Sequence, residues 1–180
     1  MVHKGIELSG GCCVLLAFML LMVPLPWLLA SFVAALVHEL CHYAAIRLCG
    51  ADARGLSLYS FAACLPLPAM SRGREVLCAL AGPAGGFLLL LFVRWMPRVA
   101  LCGAMQSCYN LLPIYPFDGG RALQSGLVLF LPPPKAMAIC RVFEVCCKWG
   151  ICILAIYGSF CLKVGIFPLL MAALLLIRAK

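Results

Sequence analysis

His38, Glu39 and His42 fall within five consecutive positions, His38-Glu39-Leu40-Cys41-His42, inside the apolar stretch 27–49. On a helix, residues four apart lie one turn up the same face, so both imidazoles can turn toward one metal ion. Glu39 lies about 100° round the helix and reaches the coordination position that the histidines leave open. The chemistry of such a set is H-E-x-x-H chemistry: two neutral ring nitrogens as ligands and a carboxylate as general base. The competing reading is a pair of satisfied core histidines. Three ionisable groups in five positions are costly in hydrocarbon and rarely persist there without a task, which favours the metal. Cys41 points to a different face from both histidines and is read as packing.

The surroundings of this stretch are unusually apolar. The chain has 180 residues, 66% hydrophobic and 11% charged, with a mean hydropathy of +1.10. A soluble domain runs near half apolar and a quarter charged, so this chain cannot cover its surface with polar groups and must be solvated by lipid. Spans of about 20 residues each leave room for roughly five or six transmembrane helices and almost no extramembrane domain. A cleavable signal peptide is not expected, because Lys4 is the only basic residue at the start and Glu7 offsets it. The 13 cysteines lie mostly in apolar runs, where a thiol behaves as a small hydrophobe, and no C-x-x-C occurs among them. The net charge of +8 would suggest nucleic acid in a soluble protein. Here the basic residues cluster at helix ends, as the positive-inside rule requires, and no nucleic-acid partner is expected.

The chain divides into six expected spans: 8–23, 27–49, 75–95, the long apolar region 99–131, 139–162 and 164–177. Between 51 and 70 the texture changes: Gly55-Leu-Ser-Leu-Tyr-Ser-Phe61 alternates, and Pro66 and Pro68 close the segment. A β-hairpin or re-entrant loop fits it, and its edge could pair with an extended peptide. In the third span, Gly82 and Gly86 form a small-xxx-small pair suited to close helix approach, and Pro83 is expected to kink or interrupt the helix. The region 99–131 is broken by Pro113, Pro116 and Gly119-Gly120. With six spans, Lys4, Arg47, Arg54, Arg72, Arg74, Lys135, Arg141, Arg178 and Lys180 fall on one side, against Arg94, Arg98 and Lys163 on the other. The richer side should be cytoplasmic, which puts both termini there.

Two histidines leave a catalytic zinc site one protein ligand short. Of the remaining acidic residues, Asp118 stands out, within Asn110-Leu-Leu-Pro-Ile-Tyr-Pro-Phe-Asp-Gly-Gly-Arg121 in the middle of an apolar region. Its prolines and glycines would open a helix and aim a carboxylate inward; alternatively Asp118 caps the segment that follows. The incomplete ligand shell favours the first.

The two motifs together resemble those of the site-2 protease family of intramembrane zinc metalloproteases. Members carry H-E-x-x-H in one membrane helix and N-x-x-P-x-x-P-x-D-G in a later one, and both are complete here, at His38 to His42 and Asn110 to Gly119. The resemblance implies an all-α polytopic fold with one zinc ion held by His38, His42 and Asp118, and Glu39 as catalytic base. It spans essentially the whole chain. The short core and the D-G-G-R ending look most like the branch containing the sporulation protease that cleaves a pro-sigma factor. One departure is that Gly85 and Gly86 follow the A-G-P turn where family members often place Asn. Neither a PDZ nor a CBS domain is expected, so residues 1–180 read as a single membrane-embedded domain.

The function expected is hydrolysis of peptide bonds in membrane-spanning substrates, such as a membrane-associated transcription-factor precursor. The partners are the bilayer, the transmembrane substrate and regulatory membrane proteins. Asn110 either holds substrate backbone or the developing oxyanion, or makes an interhelical hydrogen bond. The alternatives are an inactive membrane scaffold, disfavoured by the intact Glu39, and a metal-binding transporter-like protein, which would not need a complete H-E-x-x-H.

Overall fold

The computed structural model describes residues 23–50, 57–59, 62–64 and 70–161, with 165–166, 168–169 and 172–173 beyond them. The expected span 8–23, most of 164–177 and the placement of both termini lie outside the described residues. The chain forms two compact units, one running to Tyr109 and one from Asn110.

The first unit is built on α1 (Leu25–Leu48), which begins directly after Pro24 with a proline in its opening turn. Proline is well placed there, since the first N–H groups of a helix have no intrahelical partner. The buried residues of α1 are Ala30, Ala34, His38 and Ile46, a stripe at four-residue spacing. Phe32, Leu36 and Leu40 repeat at the same spacing on an exposed face. That arrangement suits a helix with one face on protein and the other on lipid.

Two short strands follow, β1 (Ser57–Tyr59) and β2 (Ala62–Cys64). They pair antiparallel, with Ser57 opposite Cys64 and Tyr59 opposite Ala62, leaving two residues between them. Next, α2 (Arg72–Leu88) runs on into a 3₁₀ turn at Leu89–Phe92. Pro83 lies inside α2 without ending it, so the expected interruption does not occur; neighbouring helices make such prolines tolerable in apolar surroundings. The buried residues Cys78, Gly82 and Gly86 trace one face of α2 at helical spacing.

α1 and α2 pack against each other. Among the described residues, Leu25–Leu48 and Arg72–Phe92 are the two helices long and apolar enough to cross a membrane. The first unit closes with α3 (Pro97–Asn110), whose final residue opens the second. Gly86 lets α2 approach α3 closely, since a Cβ there would lie 2.8 Å from the Gly103 carbonyl oxygen and would overlap Ser107 Oγ.

The second unit holds α4 (Asp118–Phe130) and α5 (Pro133–Phe160). The region 99–131 is thus divided at the prolines, as its sequence suggests. α5 starts six positions before the expected 139, because Pro133 and Pro134 open it rather than block it. Ile114 and Phe117, from the loop between α3 and α4, are buried against Leu112 and against Cys147 and Ile151 of α5. Along α5, Phe143, Trp149, Leu154 and Phe160 are exposed, a pattern expected of a helix in contact with lipid. Half-way along it Lys148 and Glu144 form an ion pair at 2.5 Å, one turn apart.

Candidate metal centre

His38 and His42 meet as their spacing demands. The two Nε2 atoms lie 3.1 Å apart, and the rings stand edge to face with centroids at 4.7 Å. His38 is only 3% exposed. The tautomer of His42 follows from its second nitrogen: Nδ1 lies 2.7 Å from the backbone carbonyl of Cys78 on α2. A carbonyl can only accept, so Nδ1 carries the hydrogen and donates it. In the neutral ring this leaves the Nε2 lone pair facing His38. Metal-bound histidines are typically held by such a bond from the other nitrogen, which fixes ring orientation and raises ligand basicity.

The spacing of the pair fits a shared ion. With Zn–N bonds of about 2.0–2.1 Å, two ligands at tetrahedral angles sit roughly 3.3–3.4 Å apart. The observed separation is close to that, with both nitrogens turned to the same side. Gly82 of α2 packs directly on this face: a Cβ built there would lie 2.7 Å from His38 Nε2 and 2.6 Å from His42 Cε1, and would overlap His42 Nε2. Glu39, the expected base, follows His38 on α1 and is partly buried. Cys41, read as packing, faces Gly85, where a Cβ would come within 2.9 Å of the Cys41 Cβ.

In the second unit, Asp118 is the first residue of α4 and is 8% exposed. Phe117 holds the cap position, so Asp118 does not serve as the N-cap residue that the alternative reading made of it. A carboxylate in a first turn is favoured by the unpaired N–H groups and the helix dipole. Its placement depends on the two glycines that follow. A Cβ on Gly119 would overlap the Leu111 main chain, and one on Gly120 would lie 2.6 Å from the Ile114 carbonyl oxygen. The loop can therefore fold back onto the start of α4 only if both positions lack side chains. Asn110, at the end of α3, is partly buried. Each of His38, His42 and Asp118 can offer one metal-ligating atom.

Comparison with solved structures finds a similar chain, the Site-2 Protease from Methanocaldococcus jannaschii. The match has a TM-score of 0.63 at 20% identity, over 91% of this chain and 81% of that one. At that identity the likeness is one of fold. No protein-family model matches the chain, and no curated protein does.

Two contributors to the centre were not singled out from sequence: the Cys78 carbonyl and the bare backbone at Gly82. A carbonyl leaves no trace in residue type. Gly82 did leave one, the Gly-x-x-x-Gly spacing, but that spacing signals close approach without saying to what.

Proposed function

We propose that the chain is an intramembrane zinc metalloprotease, hydrolysing peptide bonds of membrane-spanning substrates. The observation that carries the reading is the His38–His42 pair, its nitrogens 3.1 Å apart and its outer ring oriented by the Cys78 carbonyl, within a helix apolar enough to span a bilayer. The intact N-x-x-P-x-x-P-x-D-G motif and the fold shared with a site-2 protease support it further.

In this reading His38, His42 and Asp118 hold the zinc, and residues 1–180 act as a single protease domain. Zinc so held supplies Lewis acidity, lowering the pKa of water and polarising a substrate carbonyl. Glu39 takes the proton from the attacking water and returns it to the leaving amine. Asn110 holds substrate backbone or the developing oxyanion. The chain crosses the bilayer six times with both termini cytoplasmic. Its substrate is a transmembrane protein, in the sporulation branch a transcription-factor precursor; that branch rests on the short core and the D-G-G-R ending.

The test is to incubate the purified protein with candidate single-span substrates, with and without a chelator. Cleavage should stop on chelation and return when zinc is restored. Stoichiometric zinc without cleavage of any substrate in the panel would instead favour the scaffold or transporter reading. Cleavage that survives complete metal removal would overturn the metalloprotease.

A further inference from the structure

Two glycines four residues apart on α2 face different neighbours. Gly86 meets α3, where a Cβ would lie 2.8 Å from the Gly103 carbonyl oxygen and 3.4 Å from its carbon. Gly82 has side chains as its nearest neighbours. The three heavy atoms nearest to its Cβ would be His42 Nε2, His42 Cε1 and His38 Nε2, all at the ends of side chains. We propose that Gly82 is a positioning residue for the metal, its absent side chain leaving the space in which both imidazoles can present Nε2 at once. This rests on the metal reading given above.

The two positions differ in what can move. Backbone cannot swing aside, so a methyl at position 86 must push α2 and α3 apart or go unaccommodated. An imidazole can rotate. With a methyl at position 82 and no metal, both rings can turn aside, His42 by giving up the hydrogen bond to the Cys78 carbonyl. Such a bond contributes only about 1 kcal/mol net to stability, so the fold can absorb the change. With a metal bound, His42 has no such freedom, because its Nε2 must stay beside that of His38. Methyl and metal therefore compete for one ring orientation, and the cost of the substitution falls on binding. The Cys78 carbonyl and Gly82 lie one turn apart on α2. One holds the ring in place and the other gives it room.

The experiment titrates Zn²⁺ into metal-free wild-type, Gly82→Ala and Gly86→Ala proteins in detergent, recording affinity and stoichiometry and the melting temperature before and after zinc. Wild type should bind one zinc and melt higher with it. Gly82→Ala should melt near the wild type when metal-free, bind zinc about 10- to 100-fold more weakly, and gain little from it. Gly86→Ala should show the reverse, a lower metal-free melting temperature with zinc affinity largely kept.

Wild-type affinity in Gly82→Ala would overturn the proposal while leaving the metal reading intact. No zinc binding by the wild type would overturn the metal reading itself. Should Gly82→Ala fail to fold, the triple variant Gly82→Ala/His38→Ala/His42→Ala decides: with both rings removed the methyl is clear of its three nearest neighbours, and stability should return to that of His38→Ala/His42→Ala. If it does not return, Gly82 is a helix-packing residue and the proposal falls.

Discussion

His38, Glu39 and His42 divide the chemistry between them in a way that single substitutions can separate. Glu39→Gln keeps both imidazoles and removes only the base, so zinc content should be unchanged while cleavage falls by at least about 100-fold. His38→Ala, His42→Ala and Asp118→Ala should each lose zinc as well. Metal analysis of the purified variants checks this, and full zinc content in Asp118→Ala would show that the third ligand is another group. The meeting of His38 and His42 was legible in the sequence for a physical reason: four-residue spacing on a helix is local geometry, and it survives whatever the helix packs against. Cys41 was legible in the same way, since its position relative to the histidines already turned it to another face. The surroundings of the pair were not legible. That the Cys78 carbonyl receives the His42 hydrogen, and that Gly82 lies under both rings, depends on the register between α1 and α2. No periodicity within either helix records that register.

At the scale of elements, glycine and proline did most of the placing, and reading them correctly required knowing what they faced. Pro113, Pro116 and the Gly119-Gly120 pair were read as a break; the two prolines do separate α3 from α4, while the glycines lie in the first turn of α4. Pro83 was read as a kink or an interruption and the fifth span was expected from 139, yet a helix runs through Pro83 and another starts at Pro133. Proline fixes one torsion and removes one donor; whether that ends a helix depends on whether the lost donor was needed. The same logic makes the second unit sensitive at Gly119. Alanine there would overlap the Leu111 main chain, and forcing a methyl into such a contact should cost about 1–3 kcal/mol or more. Ser107 should behave in the opposite sense. Its hydroxyl is fully buried against Gly86, with no hydrogen-bond partner among the described residues. Replacing both the hydroxyl and its desolvation penalty with a methyl is close to neutral or stabilising, by up to about 1–3 kcal/mol. Thermal melts in detergent should therefore place Ser107→Ala at or above the wild type and Gly119→Ala well below it. A Ser107→Ala variant that melts several degrees lower would mean that its hydroxyl has a partner.

For the molecule as a whole, the remaining question is which way it lies in the bilayer, and basic residues on the connections of the first unit give a definite expectation. α1 ends with Arg47 in its last turn, and α2 begins at Arg72, with Arg74 in the same turn. Arg54 lies in the segment between them. If α1 and α2 each cross the bilayer, those four cations share one side, and Arg94, between α2 and α3, and Arg98, in the first turn of α3, lie on the other. Lys and Arg in short loops near helix ends set orientation, and the side holding more of them stays cytoplasmic. The α1–α2 connection, including the β1–β2 pair, should then face the cytoplasm, and the 93–98 turn should face away. Counting the expected spans 8–23 and 164–177 brings both termini to the cytoplasmic side as well. A protease site inserted in turn, at each terminus, in the α1–α2 connection and in the 93–98 turn, can be tested in sealed vesicles of known orientation. Inside-out vesicles should be cut at the first three positions and protected at the fourth, with the opposite pattern in right-side-out vesicles. Termini cut from opposite sides would mean an odd number of spans. Protection of the α1–α2 connection in inside-out vesicles would mean that the charge bias of the first unit does not set its orientation.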